Sequence, residues 1–141
     1  MKYDDASWHY GGDFPKELPP EAGATHIGMF VAWCLLNGVG GDLHVTELPD
    51  LLEGLKAKRL TPGAFFVKAC DEKFTDEDLS LDGNEFAKGY YDAKEGEYIC
   101  DYEAAVGAGL PSLYHVADTW ENYDRLAPVI AKRYDAWRKK G

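Results

Sequence analysis

His9 sits between Trp8 and Tyr10, with Asp13 four residues further on. An imidazole next to a carboxylate can serve as a general base. More often such a pair is a structural hydrogen bond, and here it would tether an aromatic chain start. Trp8, His9 and Asp13 are the residues around which a ligand or substrate pocket would form. Asp78-x-Ser80-x-Asp82-Gly83 matches the first, third, fifth and sixth positions of a calcium loop. Its twelfth position is Gly89, where a bidentate glutamate must stand, so the pattern reads as a turn before a helix. His9, His26, His44 and His115 show no HxxxH or HExxH spacing, which argues against a zinc site. His26 falls in an apolar run and reads as a satisfied core group.

Cys34, Cys70 and Cys100 are far apart, make no CxxC pair and have apolar or aromatic neighbours. They read as reduced, packed thiols. There is no GxSxG and no P-loop. Gly38-x-Gly40-Gly41 follows a helical pattern rather than a strand, so it is not a dinucleotide turn. Paired acids such as Asp4-Asp5 and Asp76-Glu77-Asp78 could serve glycoside chemistry across a cleft. In an acid-rich chain they read first as a solvated face. The expectation is a protein with no metal and no cofactor, and these residues name no reaction.

The elements that must position these residues are mostly helices. Residues 1–20 interleave Tyr3, Trp8, Tyr10 and Phe14 with glycine and proline, which suggests an irregular arm pinned by its rings. The helical body spans 21–141. Within it, Ile27 to Leu36 leaves almost no polar stripe, the pattern of a helix buried on all sides, and Asn37-Gly38 stops it. Leu48, Leu51, Leu52 and Leu55 recur at helical spacing. Thr61-Pro62 joins a hydroxyl cap to a first-turn proline. Thr75-Asp76-Glu77-Asp78 resembles another helix start. Phe86 to Tyr91 and Tyr98 to Val106 give two further helices separated by Gly96. Asp118-x-x-Glu121 reads as a capping box for a long last helix in which Pro128 should cause a kink or a break. Strand-like alternation is weak and confined to Leu43–Val45 and Tyr114–Val116. The expected fold is mainly α: a single domain, 1–141, of five to six helices around the buried segment.

Composition limits the partners. The 141 residues carry a formal charge of −10. Between Asp71 and Glu103 there are twelve carboxylates and three cations, Lys73, Lys88 and Lys94, so nearly all of the excess lies in one block. Such a block repels nucleic acid and anionic membranes and attracts basic proteins. Asp76, Glu77, Asp78, Asp82, Asp92, Glu95, Glu97 and Asp101 are the candidate contacts for a basic protein partner. No run of about eighteen apolar residues could cross a membrane. The start of the chain carries no apolar signal region, which points to the cytoplasm.

The arm Lys2-Tyr3-Asp4-Asp5-Ala6-Ser7-Trp8-His9-Tyr10-Gly11-Gly12-Asp13-Phe14-Pro15 resembles the opening of a family of short bacterial proteins of unknown function. Gly23-Ala24-Thr25-His26-Ile27-Gly28-Met29-Phe30 is similar to the same family, as are Leu113-Tyr114-His115-Val116 and Trp120-x-Asn122-Tyr123. The similarity covers nearly the whole chain and brings no catalytic residues with it. It implies a stand-alone protein of the kind found among toxin–immunity loci. Together with the acid block it suggests an immunity-like protein that occludes a cognate toxin domain. The alternative is a small enzyme or ligand-binding protein with its pocket at Trp8, His9 and Asp13.

Overall fold

Helix α1 (Thr25–Leu36) grows from a run with no polar stripe, and every residue from Thr25 to Cys34 is buried. The computed structural model describes residues 1–10, 14–92 and 96–140. Around α1 lie α2 (Asp42–Thr46), α3 (Pro49–Lys56), α4 (Pro62–Cys70), α5 (Leu81–Tyr90), α6 (Glu97–Val106) and α7 (Trp120–Lys140). The result is a mainly α domain, 66% helical. Phe30 is the hub of its core. Its ring lies 4.9 Å from Tyr91 and 5.2 Å from Tyr98, and Phe74, Phe86 and Tyr90 surround it slightly further out. None of the helices is long and apolar enough to cross a membrane.

Local signals account for most helix boundaries. Thr61 Oγ1 accepts from the Ala64 amide, and Pro62 supplies the first turn of α4. Ser80 Oγ accepts from Gly83 N at the start of α5. Gly96, at φ 63°, occupies the left-handed conformation before α6, where a side chain would be strained. Thr75 caps a single 3-10 turn, Asp76–Asp78, rather than a full helix. Leu43–Val45 lies in α2 and Tyr114–Val116 in and after a 3-10 turn, so neither weak alternation makes a strand.

Three expectations need correction. The arm is not wholly irregular: β1 (Lys2–Asp5) pairs antiparallel with β2 (Lys73–Thr75). A register shift between Lys2 and Asp4 breaks the alternation, so Tyr3, Asp4 and Asp5 are all buried. A strand whose inner residues include two aspartates carries no hydrophobic period to detect. Asp118 does not cap α7. Its Oδ1 accepts from Gly63 N at 2.9 Å and its Oδ2 from Ala64 N, which ties it to the start of α4 instead. Thr119 takes the cap of α7, accepting from Asn122 N. Finally, of the kink or break expected at Pro128 the break does not occur, since α7 runs through that residue. Asp124, whose carbonyl loses its partner there, and Pro128 are both exposed, on a face where water can replace the missing donor.

Helices α1 and α4 cross at short range. A Cβ at Gly28 would stand 2.6 Å from the Pro62 carbonyl oxygen and 3.0 Å from Gly63 Cα. The backbones meet at this distance because neither residue carries a side chain. Gly28→Val should therefore destabilise the fold by about 1–3 kcal/mol, read as a lower denaturation midpoint in urea. An unchanged midpoint would mean that the crossing is loose.

Candidate functional site

Asp4 is only 8% exposed, and its carboxylate lies inside the protein. Pairing of β1 with β2 puts it there. Four groups surround it. His9 Nε2 is 2.9 Å from Oδ1, and the Asp5 amide donates to the same oxygen. Tyr91 donates its hydroxyl to Oδ2 at 2.6 Å. His26 Nε2, from α1, stands 3.8 Å from Oδ2, too far for a hydrogen bond. The other nitrogen of His9, Nδ1, is 2.7 Å from the Tyr114 hydroxyl. With Asp4 accepting from Nε2–H, Nδ1 is left to accept from Tyr114, giving a relay from carboxylate to imidazole to phenol.

The electrostatics follow from burial and partners. Burial alone would raise the Asp4 pKa, but the bonds from His9 and Tyr91 outweigh it and the carboxyl ends below its usual value. It is ionised at neutral pH. His26 is pushed down to about 3, chiefly by burial and then by His9, against the opposing pull of Asp4. It is therefore a neutral imidazole. The Tyr114 phenol is raised by burial and by the Asp4 charge. Neither ring nitrogen of His26 has a hydrogen-bond partner among the described residues, and the buried Tyr102 hydroxyl also lacks one. The sequence reading of His26 as a satisfied core group is thus corrected: its burial is right and its satisfaction is not.

Tyr114 also lines an apolar groove of about 460 Å³. Leu18, Ala22, Ala64, Val67 and Val116 make its walls, Thr25 and His115 add polar groups, and Glu21 and Lys68 stand at it as charges. His115 is held in place by Ser112 Oγ at 2.8 Å and Glu17 at 3.1 Å. The α4 N-terminus faces this groove, but Asp118 already occupies its amides. The end of α4 is therefore not a vacant anion site.

A second cluster joins His44, Cys70 and Asp78. Asp78 Oδ1 is 2.9 Å from His44 Nε2, and Cys70 Sγ donates to the same oxygen from 3.7 Å. Burial, reinforced by the Asp78 charge, pushes the Cys70 thiol well above its ordinary pKa. A nucleophilic thiol needs the opposite shift. Asp78 also accepts from Thr75 N, so this cluster locks α2 and α4 to the 3-10 turn.

The sequence-predicted residues divide sharply. His9 lies in the first cluster, but the carboxylate beside it is Asp4. Asp13 lies outside the described residues. Trp8 is 59% exposed and sits under the Lys2 ammonium at 5.0 Å. Of the acid block, Asp78 is buried and bonded, so it cannot face a partner, which corrects its assignment. Asp101 makes a two-pronged bond to Arg133 and accepts from Tyr90, and Glu97 stands 3.9 Å from the same arginine. Asp76 pairs with the N-terminal amine. Glu77, Asp82 and Asp92 are exposed, with no cation in ion-pair range among the described residues. Glu95 lies outside the described residues.

Sequence reading missed Asp4, His26, Tyr91 and Tyr114 as one site because they come from four distant segments. One signal was present: three of the four stretches carrying the family resemblance, 2–15, 23–30 and 113–116, supply Asp4 and His9, Thr25 and His26, and Tyr114 and His115. A family model described as a domain of unknown function (DUF7832) matches residues 2–116. No curated protein and no solved structure matches the chain.

Protonation links this cluster to stability. Unfolded, His26 takes a proton below about pH 6.5, while in the fold it stays neutral down to about 3. In that window the unfolded chain binds more protons, so stability falls as pH falls, by up to roughly 1.4 kcal/mol per pH unit for this one group. Asp4 adds to the loss once pH drops below the ordinary carboxyl range, because its folded pKa is lowered. Among the described residues, His9, Asp4 and the Tyr102 and Tyr114 phenols are the titratable groups facing the His26 ring. Urea melts with chelator present should show a slope between pH 6.5 and 4.5 that His26→Leu reduces. An equal slope in the variant would contradict the assignment.

Proposed function

The chain belongs to the DUF7832 family of domains of unknown function, and we propose that it binds a small organic molecule in the groove beneath the arm. One observation carries the reading. Two of the segments by which the chain resembles its family supply Thr25, Tyr114, His115 and Val116 to one groove, and Tyr114 is wired to His9 and Asp4 of a third. The volume falls within the roughly 300–1,000 Å³ range of small-molecule sites, and apolar walls with a few convergent polar groups are their usual lining. The ligand this chemistry fits has an apolar body against Ala22, Ala64, Val67 and Val116. Its polar end would reach Tyr114, Thr25 or His115. The relay from Asp4 through His9 gives Tyr114 a proton acceptor, so the same site has the parts for acid–base chemistry on a bound hydroxyl or carbonyl.

A second reading, an immunity-like protein that neutralises a cognate toxin, is supported by Glu77, Asp82 and Asp92. These are exposed charges without partners among the described residues, and they would steer a basic protein. The toxin–immunity link and a bacterial source rest on the resemblance.

The two readings separate in one experiment. The environment-sensitive dye 8-anilinonaphthalene-1-sulfonate is titrated into the native protein and into Ala64→Trp, which fills the groove. Groove binding predicts saturable, one-to-one fluorescence enhancement that the variant loses while its melting temperature holds. Absence of enhancement in the native protein, or the same enhancement in both, would sink it. In parallel, the triple variant Glu77→Gln, Asp82→Asn, Asp92→Asn should leave dye binding unchanged. If the immunity reading holds, the same variant slows association with a captured basic partner and flattens its salt dependence.

A further inference from the structure

We propose that Asp4, His9 and His26 form a binding site for one zinc ion. The site goes beyond the groove reading and does not depend on it. Two imidazoles and one carboxylate are a common donor set for a divalent transition metal with open positions. Their ligating atoms all lie within 4.8 Å of one another. Donor atoms about 2.0–2.1 Å from a tetrahedral zinc stand roughly 3.3 Å apart. His9 Nε2 is 2.9 Å from Asp4 Oδ1 and His26 Nε2 is 3.8 Å from Oδ2, one imidazole to each carboxylate oxygen at distances on either side of that spacing.

His26 points most directly to an ion. It is 1% exposed, and both of its ring nitrogens lack partners among the described residues. A buried imidazole with nothing to bond is costly. Coordination through Nε2 would satisfy one nitrogen, and the neutral ring already carries the lone pair that a metal needs. The supporting shell is in place as well. Tyr91 fixes Asp4 through Oδ2, and Tyr114 holds His9 through Nδ1, which leaves Nε2 turned toward the carboxylate. With zinc on Nε2, the His9 proton resides on Nδ1 and is donated to the Tyr114 oxygen. The Tyr114 O–H is then free to point elsewhere. No net proton leaves His9 in this exchange. The His9 side chain is 21% exposed, which gives an ion a way in. The His44–Cys70–Asp78 cluster is less suited: the thiol is held protonated, and the His44 and Asp78 side chains are almost wholly buried.

The test uses the full chain, stripped with chelator and dialysed. Zinc is titrated in competition with a chromophoric chelator, and melting temperature is followed with and without the metal. The expected result is one zinc per chain and a rise in melting temperature that grows with free zinc. His26→Leu should weaken binding at least tenfold; the apolar replacement removes no hydrogen bond, so the fold should survive. Tyr114→Phe should weaken it roughly 10–100-fold, as loss of an outer-shell partner does. Cys70→Ser should change nothing. Cobalt added to the unaltered protein should give visible ligand-field bands without a thiolate charge-transfer band, a readout that needs no variant. The proposal is overturned by absence of saturable zinc binding, which would leave a buried water as the partner of His26. It is equally overturned by binding that His26→Leu leaves intact, or by a thiolate band or a loss with Cys70→Ser, either of which places the ion at the second cluster.

Discussion

A carboxylate taken out of water must be given donors, and Asp4 is where this protein meets that demand. Leaving an ionised group uncompensated in the interior costs several kcal/mol. The donors come from three places: Tyr91 just beyond α5, His9 in the arm, and the Asp5 amide in β1. Each is held by something else. β1 is tied to β2, and the Ala6 amide continues the pairing to the Glu72 carbonyl. His9 is fixed by Tyr114, and Tyr91 packs on Phe30 and Tyr98. The arm, the central helix and the 113–116 turn are thus joined through one buried charge. The groove exists because that turn is held against α1 and α4.

The same logic explains why so much phenol is buried. Tyr91, Tyr98 and Tyr102 present large apolar surfaces to the core while carrying a hydroxyl that needs a partner. Tyr98 finds the His26 carbonyl and Tyr91 finds Asp4. Tyr102 finds none among the described residues, and its ring lies 6.0 Å from that of His26. Two side chains with unmet bonds stand close together here, and His44 Nδ1 in the second cluster is the other buried polar atom without a partner among the described residues. In natural structures such groups are rare and usually answer to a water, an ion or a ligand.

Much of the fold was legible in the sequence because the relevant signals are local. The all-apolar run of α1, the Thr61-Pro62 start of α4 and the Gly96 break each act over a few residues. The site was not legible, for the converse reason. His9 and His26 are seventeen residues apart and Tyr114 is nearly ninety further on. No metal or triad spacing describes groups brought together by a strand pairing and a helix crossing. Asp118 shows the same limit, since its position fits a capping box but its donors are on α4. The acid block shows how charge counting misleads. Asp78 and Asp101 belong to internal networks, and only part of the block faces solvent unpaired.

The account stands or falls on His26 being buried and neutral beside an ionised Asp4. Nitrogen-resolved NMR of the imidazoles, recorded across pH with chelator present, reads this directly. The account predicts that His26 keeps the shifts of a neutral ring from pH 8 down to pH 5, with its pKa near 3. In the same spectra His9 carries its proton on Nε2, toward Asp4. A His26 that titrates close to pH 6.5, as a solvated imidazole does, would show that the cluster is open to water and that no buried charge organises the arm.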